Sequence, residues 1–541
     1  MHVEPGAGTE ESGGRWGRGL AVALAMAVQL MAVNYWPAFP SPAERPRVYQ
    51  ALAVVHRGSL DIDREIGCWG GSEDVAAFAG RRFPNKAPGL LPLLLPGAAL
   101  AHLTAPCGSQ AELRAALVLG RLAACSLPLW VTLALLRRLR GATEWLAWAW
   151  ALASPAWAAS LLLFSHALTA SLLLAGFVLL HEAARSRRHD ALAGMLLGWA
   201  VACEYPLAVP AAVLVLAVTG PGRWRRWLAI ATGAVWPAAG LGAYNWACFG
   251  SPWSLSSAHE AHTVYASLLG SGVFGIGAPT PGGLFGVLVS PTRGLLVWFP
   301  LLLLGAAALP WARERLDRAE RVAGLAGLGL VVVMAGYRNW HGGWFPGPRY
   351  LLAVLPLLLV AVAPGVGRLR CHVAGRLALA AVALWGVTAS WLGVVSFPFP
   401  PEDMPLPFLT LTPTLLADGI TFPSWGGGAI WLAALGIAAL AGAWAVLRKV
   451  TAQRAERLLS VLVVTMILVA AVRLVHRPAT WQARLEHAVI SEVYCGVSPP
   501  VLLPVLRRGC DTPERCRQVE EWLAQTRADE RKSSAPTLLW R

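Results

Sequence analysis

The stretch that decides the fold class is residues 350–366, which read YLLAVLPLLLVAVAPGV. It contains no charged side chain, and apolar runs of similar length recur along the 541-residue chain, of which 56% is hydrophobic. A helix that is apolar on every face suits lipid, where no water can satisfy an exposed backbone group. Because about 20 such residues cross a bilayer, the sequence predicts an all-α, polytopic membrane protein.

Thirteen membrane crossings are predicted, with the N-terminus cytoplasmic and the C-terminus extracytoplasmic. Short loops rich in Arg or Lys stay on the cytoplasmic side, and six loops between apolar runs carry such clusters. This rule requires the short apolar segment 88–105 to enter the membrane and return, unless one arginine loop breaks the rule. The predicted helices are 17–36, 112–136, 142–162, 166–182, 191–204, 206–219, 228–247, 287–308, 322–338, 350–366, 376–395, 428–447 and 458–474.

Three regions follow from these crossings: a cytoplasmic tail (1–16), a membrane domain (17–474) with a large first extracytoplasmic loop (37–87), and a small C-terminal extracytoplasmic segment (475–541). The predicted location is the cell (inner) membrane. The formal charge of +15 is spread between the apolar runs and forms no single patch, which argues against a nucleic-acid partner.

The nine cysteines show no metal-ligand spacing. In an oxidising compartment two of those in polar segments are candidates for a disulfide, with free thiols as the alternative. The candidate pairs are Cys68 with Cys107, or two of Cys495, Cys510 and Cys516.

Charge is concentrated in residues 37–89, in a chain of which only 14% is charged. In an extended loop Asp61 and Asp63 would point the same way. They could then serve as a base for an acceptor hydroxyl or bind a metal ion; a solvated acidic turn is the alternative. Lys86 lies where the next apolar run begins and is a candidate for contact with a lipid phosphate, although lysines at helix ends often only extend to the membrane surface.

The most specific stretch is residues 337–350, YRNWHGGWFPGPRY. Its glycines allow close backbone approach, and aromatic residues such as Trp340 can stack on a sugar ring. Arg349 can hold a phosphate by two parallel hydrogen bonds. The alternative is an aromatic hairpin at the membrane interface with a structural arginine.

Further polar residues lie in apolar surroundings on the same predicted outer side. Arg293, in Ser290–Gly294, is a second phosphate candidate, and Glu204 must be paired, protonated or functional, since an unpaired carboxylate is costly there. His166 begins a predicted helix. His259 and His262 lie three residues apart but lack an obvious third metal ligand.

In their order along residues 15–400, these motifs resemble bacterial membrane glycosyltransferases of the GT-C superfamily, relatives of protein and lipid mannosyltransferases. The motifs are Gly58–Asp63, Asp74, Gly80–Gly89, Phe164–Ala167, Tyr244–Trp246, Phe249–Pro252, Ser290–Gly294, Gly342–Trp344 and Gly347–Tyr350.

The resemblance implies a polyprenyl-phosphate-linked sugar donor, an inverting transfer, and a first-loop carboxylate as base. Asp63, Asp61 and Glu44 are the candidates; many such enzymes carry the acid soon after the first helix, where this chain has only Glu44. The implied substrate-binding residues are Asp74, Lys86, His166, Glu204, Arg293, Trp340, His341, Arg349 and Tyr350, with the phosphate assigned to Lys86, Arg293 and Arg349.

The predicted partners are the lipid-linked donor and membrane lipids, and the acceptor is left open. No metal ligand is assigned, although a divalent cation is not excluded. The alternative function is a flippase or exporter of a lipid-linked or amphiphilic substrate, which would use the same cations and would need no base.

Overall fold

The computed structural model describes most of the chain up to residue 417. The described residues are 22–30, 32–33, 41, 43–139, 144–181, 186–219, 224–312, 316–395, 398–400, 404–417 and 517. The predicted cytoplasmic tail, the predicted helices 428–447 and 458–474, and all of the predicted C-terminal segment except residue 517 lie outside these residues.

The described part of the chain is mostly helical, which confirms the predicted helical class. Residues 22–30 are helical, within the predicted first crossing. The α-helices that follow are Arg45–Arg57, Asp63–Trp69, Leu91–Thr104, Gln110–Arg121, Leu127–Arg138, Glu144–Ala153, Ala156–Ser160, His166–His181, Arg187–Cys203, Ala208–Thr219, Trp224–Phe249, Thr263–Leu269, Pro281–Val289, Leu295–Trp298, Leu301–Ala308, Arg318–Ala335, Leu355–Arg370, Val373–Val395 and Pro407–Ala417.

Among the described residues, three helical units are long and apolar enough to cross a membrane by length and composition: Gln110–Arg138, Arg349–Arg370 and Val373–Val394. The first includes a π-helical turn, Leu122–Ser126, and the second begins with a 3-10 turn, Arg349–Val354. Among the described residues several shorter apolar helices accompany them. The count of thirteen crossings therefore stays a prediction.

Two predicted helices are wrong because proline interrupts them. Residues 287–308 form three separate helices, and the breaks lie at Ser290, which precedes Pro291, and at Phe299, which precedes Pro300. A residue before proline is pushed out of the helical region, and Ser290 has ψ 136° while Phe299 has ψ 69°. The predicted helix 142–162 is likewise divided at Pro155.

Residues 88–104 form a continuous helical segment that begins with the 3-10 turn Pro88–Leu90. It packs against Gln110–Arg121, and a Cβ added to Gly97 would lie 2.8 Å from the Cβ of Leu119. Whether it re-enters the membrane as predicted stays open to test. The break predicted between helices 191–204 and 206–219 is confirmed, since Glu204 is extended between Arg187–Cys203 and the 3-10 turn Tyr205–Leu207.

The first polar segment is not the extended loop that the sequence suggested. It folds into helix Arg45–Arg57, whose first nine residues are buried, helix Asp63–Trp69, and a hairpin of β1 (Val75–Phe78) and β2 (Arg81–Pro84). Pro46 suits the first turn of a helix, and Gly58, with φ 64°, ends the first helix in the left-handed conformation. Asp63 consequently begins a helix, so the expectation that Asp61 and Asp63 point the same way from an extended loop is wrong.

The core lies between the helices of the apolar region, around His166–His181 and Leu355–Arg370. Large aromatic residues fill it, and Trp157 stacks on Trp391 with ring centroids 4.1 Å apart. Helix Arg45–Arg57 packs into this core. In the hairpin, Ala76 and Phe83 belong to a second hydrophobic cluster, with residues of helix Trp224–Phe249.

Candidate functional site

The open end of the hairpin places Asp74 beside Asn85 and Lys86. Val75 pairs with Pro84, so the residues just outside the ladder are neighbours, and the Asn85 N–H donates to the Asp74 carbonyl at 3.2 Å. Lys86 Nζ donates to Asp74 Oδ1 at 3.0 Å, and Asn85 Nδ2 donates to the same oxygen at 3.3 Å. Burial raises the pKa of Asp74, but the contacts with Lys86 and Asn85 outweigh it and lower that pKa below its ordinary value. Asp74 is therefore an ionised, buried carboxylate.

A second carboxylate, Glu260, comes from the segment after the 3-10 turn Ser256–His259. The Ala261 N–H donates to the Val75 carbonyl at 2.9 Å, which attaches this segment to β1. Asn85 Nδ2 donates to Glu260 Oε2 at 2.6 Å. Burial raises the pKa of Glu260 above its ordinary value despite the opposing effects of Lys86 and Asn85. Asn85 thus bridges two carboxylates of different proton affinity.

Glu73 adds a third carboxylate to this group. Burial raises its pKa to about 7, and the negative charges of Asp74 and Glu260 act in the same direction. Its Oε1 lies 3.7 Å from Nε2 of His262. Three acidic side chains of graded pKa therefore lie within electrostatic reach of one another, and Lys86 acts on two of them, Asp74 and Glu260.

On the opposite part of the site, Glu204 is paired with the start of helix His166–His181. Ser165 Oγ donates to Glu204 Oε1, and His166 Nδ1 lies 3.9 Å from the same oxygen. The ring of His166 meets that of Tyr350 edge-on, with centroids 5.9 Å apart. Glu204 is thus hydrogen-bonded to Ser165 and close to His166, and its protonation and any functional role stay predictions.

Arg349 lies between the two groups of acidic residues. Its guanidinium carbon is 5.2 Å from the Phe164 ring centroid and 4.9 Å from that of Tyr350, and Nη2 donates to the Tyr350 hydroxyl at 3.1 Å. Asp74 and Glu204 act on its charge through space, yet among the described residues it forms no ion pair with a carboxylate. Its Nε is buried without an acceptor. The guanidinium is thus held in place with donors still available for an anion.

The glycines of the motif 337–350 make room for this arginine. A Cβ on Gly342 would lie 2.9 Å from Arg349 Nε, and Gly342 has φ 76°. A Cβ on Gly347 would lie 3.1 Å from the Trp298 ring, at φ 98°. Close approach is therefore observed at Gly342 and Gly347, which leave room for Arg349 and its loop, whereas a Cβ on Gly343 would meet no atom within 4 Å.

The three candidates for the catalytic base each bind a different arginine. Glu44 is completely buried; Arg121 donates to both of its oxygens at 2.9 and 2.8 Å, and the Leu163 N–H donates to one of them at 2.5 Å. Arg57 donates to Asp61 at 2.8 Å, and this contact, helped by Ser59, lowers the pKa of Asp61 to about 2.

Asp63 is half-exposed and accepts from Arg82 Nε at 2.5 Å. Its neighbour Asp61 faces Arg57, so the two carboxylates do not converge on one point. A role for Asp63, Asp61 or Glu44 as base stays a prediction.

The remaining predicted site residues belong to the loop of the motif 337–350, as Trp340 and His341 do, or contact it from outside, as Arg293 does. Arg293 is 1% exposed and donates to the carbonyls of Gly343 at 3.2 Å and Pro400 at 3.1 Å. His341 Nδ1 accepts from the Gly343 N–H at 3.2 Å, and the Trp340 ring packs on Gly286. These contacts suit residues that shape the loop, and substrate contact by them stays a prediction.

Sequence reasoning missed Arg47 and Glu260. Arg47 is buried, donates to the carbonyls of Ala43 at 2.8 Å and Leu163 at 3.4 Å, and lies within the electrostatic reach of Glu204, Asp74 and Arg349. Two signals would have predicted a helix here: the proline at position 46, and the absence of glycine from there to Gly58. Arg47, in the first turn of that helix, would then have been a candidate site residue.

No protein-family model and no curated protein sequence matches the chain. Among solved structures, the chain is similar to ArnT from Cupriavidus metallidurans in the apo state, with 14% identity over 81% of this chain and 74% of that chain and a TM-score of 0.46. It is also similar to ArnT from Cupriavidus metallidurans bound to undecaprenyl phosphate, with 18% identity over 79% and 73% of the two chains and a TM-score of 0.47.

A third similar structure is the archaeal oligosaccharyltransferase AglB from Archaeoglobus fulgidus in complex with an inhibitory peptide and a dolichol-phosphate. The identity is 12%, over 71% of this chain and 60% of that chain, and the TM-score is 0.37. All three TM-scores are below 0.5.

Proposed function

We propose that the protein is an integral-membrane glycosyltransferase of the GT-C type, which moves a sugar from a polyprenyl-phosphate donor to an extracytoplasmic acceptor. The observation that carries this proposal is the position of Arg349, held between aromatic rings with a buried Nε that lacks an acceptor. A guanidinium in such a place suits a phosphate, which it can bind by parallel charge-assisted hydrogen bonds.

Lys86 supplies the second cation of the phosphate site. Lys86 and Arg349 both act on the charge of Asp74, so an anion near that carboxylate would be attracted by both cations. A polyprenyl phosphate becomes a good leaving group when fixed cations neutralise the charge that develops on it. The two cations are the electrostatic part of the proposed mechanism.

Asp74 is the proposed base. Before the donor binds, Lys86 holds Asp74 and keeps its pKa low. A bound phosphate competes for Lys86, and loss of that partner raises the pKa of Asp74. The carboxylate then takes the proton of the acceptor hydroxyl while the oxygen attacks the anomeric carbon from the side opposite the phosphate. One glycosidic bond forms, the bond to phosphate breaks, and the configuration inverts.

The experiment that tests the phosphate site is mass spectrometry of the lipid retained by gently purified protein. We expect the wild type to retain a polyprenyl phosphate or its glycosylated form, and Arg349→Ala to lose it. Arg338→Ala is the matched control, because Arg338 is an exposed arginine of the same motif, and it should retain the lipid. Bulk phospholipid alone in all three proteins would contradict the proposal.

A transfer assay separates an enzyme from a carrier. Incubation of the purified protein with a polyprenyl-phosphate sugar and a mixture of candidate acceptors should yield a new glycosidic bond and free polyprenyl phosphate. Movement of the lipid across vesicles without any new glycosidic bond would instead favour the flippase or exporter alternative.

A further inference from the structure

Four potential metal ligands meet at the far end of helix Arg45–Arg57, in a cluster that shares no residue with the site around Asp74. They are His56, His102, Cys107 and Glu112, and one ligand atom of each lies within 4.8 Å of all the others. His56 lies in the last turn of Arg45–Arg57, His102 in the last turn of Leu91–Thr104, and Glu112 in the first turn of Gln110–Arg121. Cys107 comes from the connection between the last two helices. Three chain segments thus converge on one point.

The distances suit a tetrahedral metal ion after a small adjustment. Nε2 of His56 lies 2.7 Å and Nδ1 of His102 lies 3.1 Å from the same oxygen of Glu112, Oε1. Cys107 Sγ lies 3.8 Å from His56 Nε2. Bonds of about 2.0–2.3 Å in a tetrahedral zinc site place the ligand atoms roughly 3.3–3.8 Å apart. Shifts of less than about an ångström would therefore form the coordination shell.

The groups behind the ligands orient them toward a common point. The Gly108 N–H donates to Glu112 Oε2 at 2.6 Å, which leaves Oε1 directed at the histidines. Gly108 has φ 77°, and this turn presents Cys107. Metal-bound histidines usually give their second nitrogen to a carboxylate, and His56 Nδ1 lies 4.0 Å from Glu65 Oε1.

Glu65 provides an independent observation. Its Oε1 is buried and has no hydrogen-bond partner, while Oε2 accepts from Arg57 at 2.9 Å. Ordinary His–Glu hydrogen bonds explain the contacts of Glu112 but leave Glu65 Oε1 without a hydrogen bond. A metal on His56 Nε2 would fix the proton on Nδ1, which faces that unpaired oxygen.

We propose that His56, His102, Cys107 and Glu112 form a structural zinc site. Nitrogen and thiolate ligands favour zinc over magnesium or calcium, and one thiolate with one carboxylate balances the charge of Zn²⁺. Cys107 is exposed and the His102 side chain is 39% exposed, so an ion can reach the cluster. The ion ties the end of helix Arg45–Arg57 to the connection between the next two long helices.

The test uses the full-length protein, stripped with a chelator, incubated with zinc and desalted before elemental analysis. We expect the wild type to retain one zinc ion per chain more than His102→Ala/Cys107→Ser. The matched control is Cys371→Ser/His372→Ala, which removes an exposed cysteine and an exposed histidine elsewhere and should retain as much zinc as the wild type. Equal zinc contents in the wild type and His102→Ala/Cys107→Ser would overturn the proposal.

Cobalt substitution reports on the coordination itself. A thiolate-to-cobalt charge-transfer band should appear in the wild type and vanish in Cys107→Ser, and zinc should raise the melting temperature of the wild type alone. The rival partner of Cys107 is Cys68, whose Sγ lies within 4.0 Å of a Cβ built on Gly108. A Cys68–Cys107 disulfide in peptides from the non-reduced native protein would overturn the zinc site.

Discussion

At the scale of single residues, the choice of the base depends on which cation each carboxylate meets. Glu44 is bound to Arg121, Asp61 to Arg57 and Asp63 to Arg82. Asp74 differs because its partner, Lys86, is also a candidate for the phosphate. An exchange of Lys86 between carboxylate and phosphate would couple donor binding to activation of the base.

Asp74→Asn should therefore lower kcat by about 10²–10⁴-fold, the usual contribution of a general base. The melting temperature should change little, since the amide still accepts a hydrogen bond from Lys86. Asp63→Asn is the control and should stay within a few-fold of the wild type, because Asp63 meets Arg82 away from Lys86. A large loss in Asp63→Asn with normal activity in Asp74→Asn would return the role of base to Asp63.

Glu73 gives the site a dependence on pH. Its folded-state pKa of about 7 lies above the value of about 4.3 for an unfolded chain, so folding favours the protonated form. This contribution to stability is complete below about pH 4 and is lost as the pH rises through 7. The negative neighbours Asp74 and Glu260 oppose ionisation, whereas His262, if protonated, would favour it.

We expect the melting temperature of the wild type to fall between pH 5 and pH 8, and that of Glu73→Gln to fall less. The difference corresponds to at most about 3 kcal/mol in the free energy of unfolding. Glu144→Gln, at an exposed glutamate, is the control and should follow the wild type. A fall of equal size in Glu73→Gln would show that Glu73 does not titrate in this range.

At the scale of elements, the hairpin is what brings Asp74 to Lys86. Its two-residue turn, Ala79-Gly80, has φ 49° and 75°, the conformation of the tight turn that matches the twist of two paired strands. The sequence does not predict this hairpin, because its four-residue strands lack the alternation by which strands are recognised. In β1 the first two residues are buried and the last two exposed, and in β2 the order is reversed. Their pairing with each other and with the segment around Glu260 decides where they lie.

Gly80→Ala should destabilise the hairpin by about 1–2 kcal/mol through backbone strain alone, since a Cβ there would meet no atom within 4 Å. Retention of the donor lipid should fall with it, because Asp74 and Lys86 are aligned by the strands. Gly67→Ala is the matched control: its Cβ would also meet nothing, and it lies within helix Asp63–Trp69. Gly67→Ala should be neutral or slightly stabilising. An equal loss of lipid retention in both variants would show that the turn of the hairpin has no specific role in aligning Asp74 and Lys86.

At the scale of the whole molecule, function depends on which side of the membrane the site faces. The arginines flanking Cys371 predict that it is cytoplasmic, whereas Cys68 lies in the same predicted outer segment as Asp74. Both thiols are exposed. Their reactivity toward a reagent that cannot cross membranes therefore tests the orientation of the entire chain.

In variants that keep one cysteine each, we expect Cys68 to be labelled by an impermeant maleimide in intact cells. Cys371 should be labelled only after the membrane is permeabilised. The reverse pattern would place the Asp74 site on the cytoplasmic side and would contradict transfer to an extracytoplasmic acceptor. Labelling of both thiols in intact cells would show that the arginine clusters do not set the orientation.

Local sequence patterns are enough to predict the helical membrane class and many helix ends. The helix predicted at 166–182 is observed as His166–His181, and the break predicted between 191–204 and 206–219 is observed at Glu204. These features are local: an apolar run, a proline or a glycine acts on the backbone within a few residues of itself. Local signals of the same kind, Pro291 and Pro300, explain why the predicted helix 287–308 is interrupted.

Only the tertiary structure decided which charged side chains meet. Asp74 and Glu260 lie almost two hundred residues apart yet share Asn85, and Arg349 reaches the same region from a third part of the chain. His56 and Glu112 likewise meet through the packing of separate helices. An ion pair or a metal shell depends on distances of a few ångströms between distant segments, and no local pattern in the sequence specifies those distances.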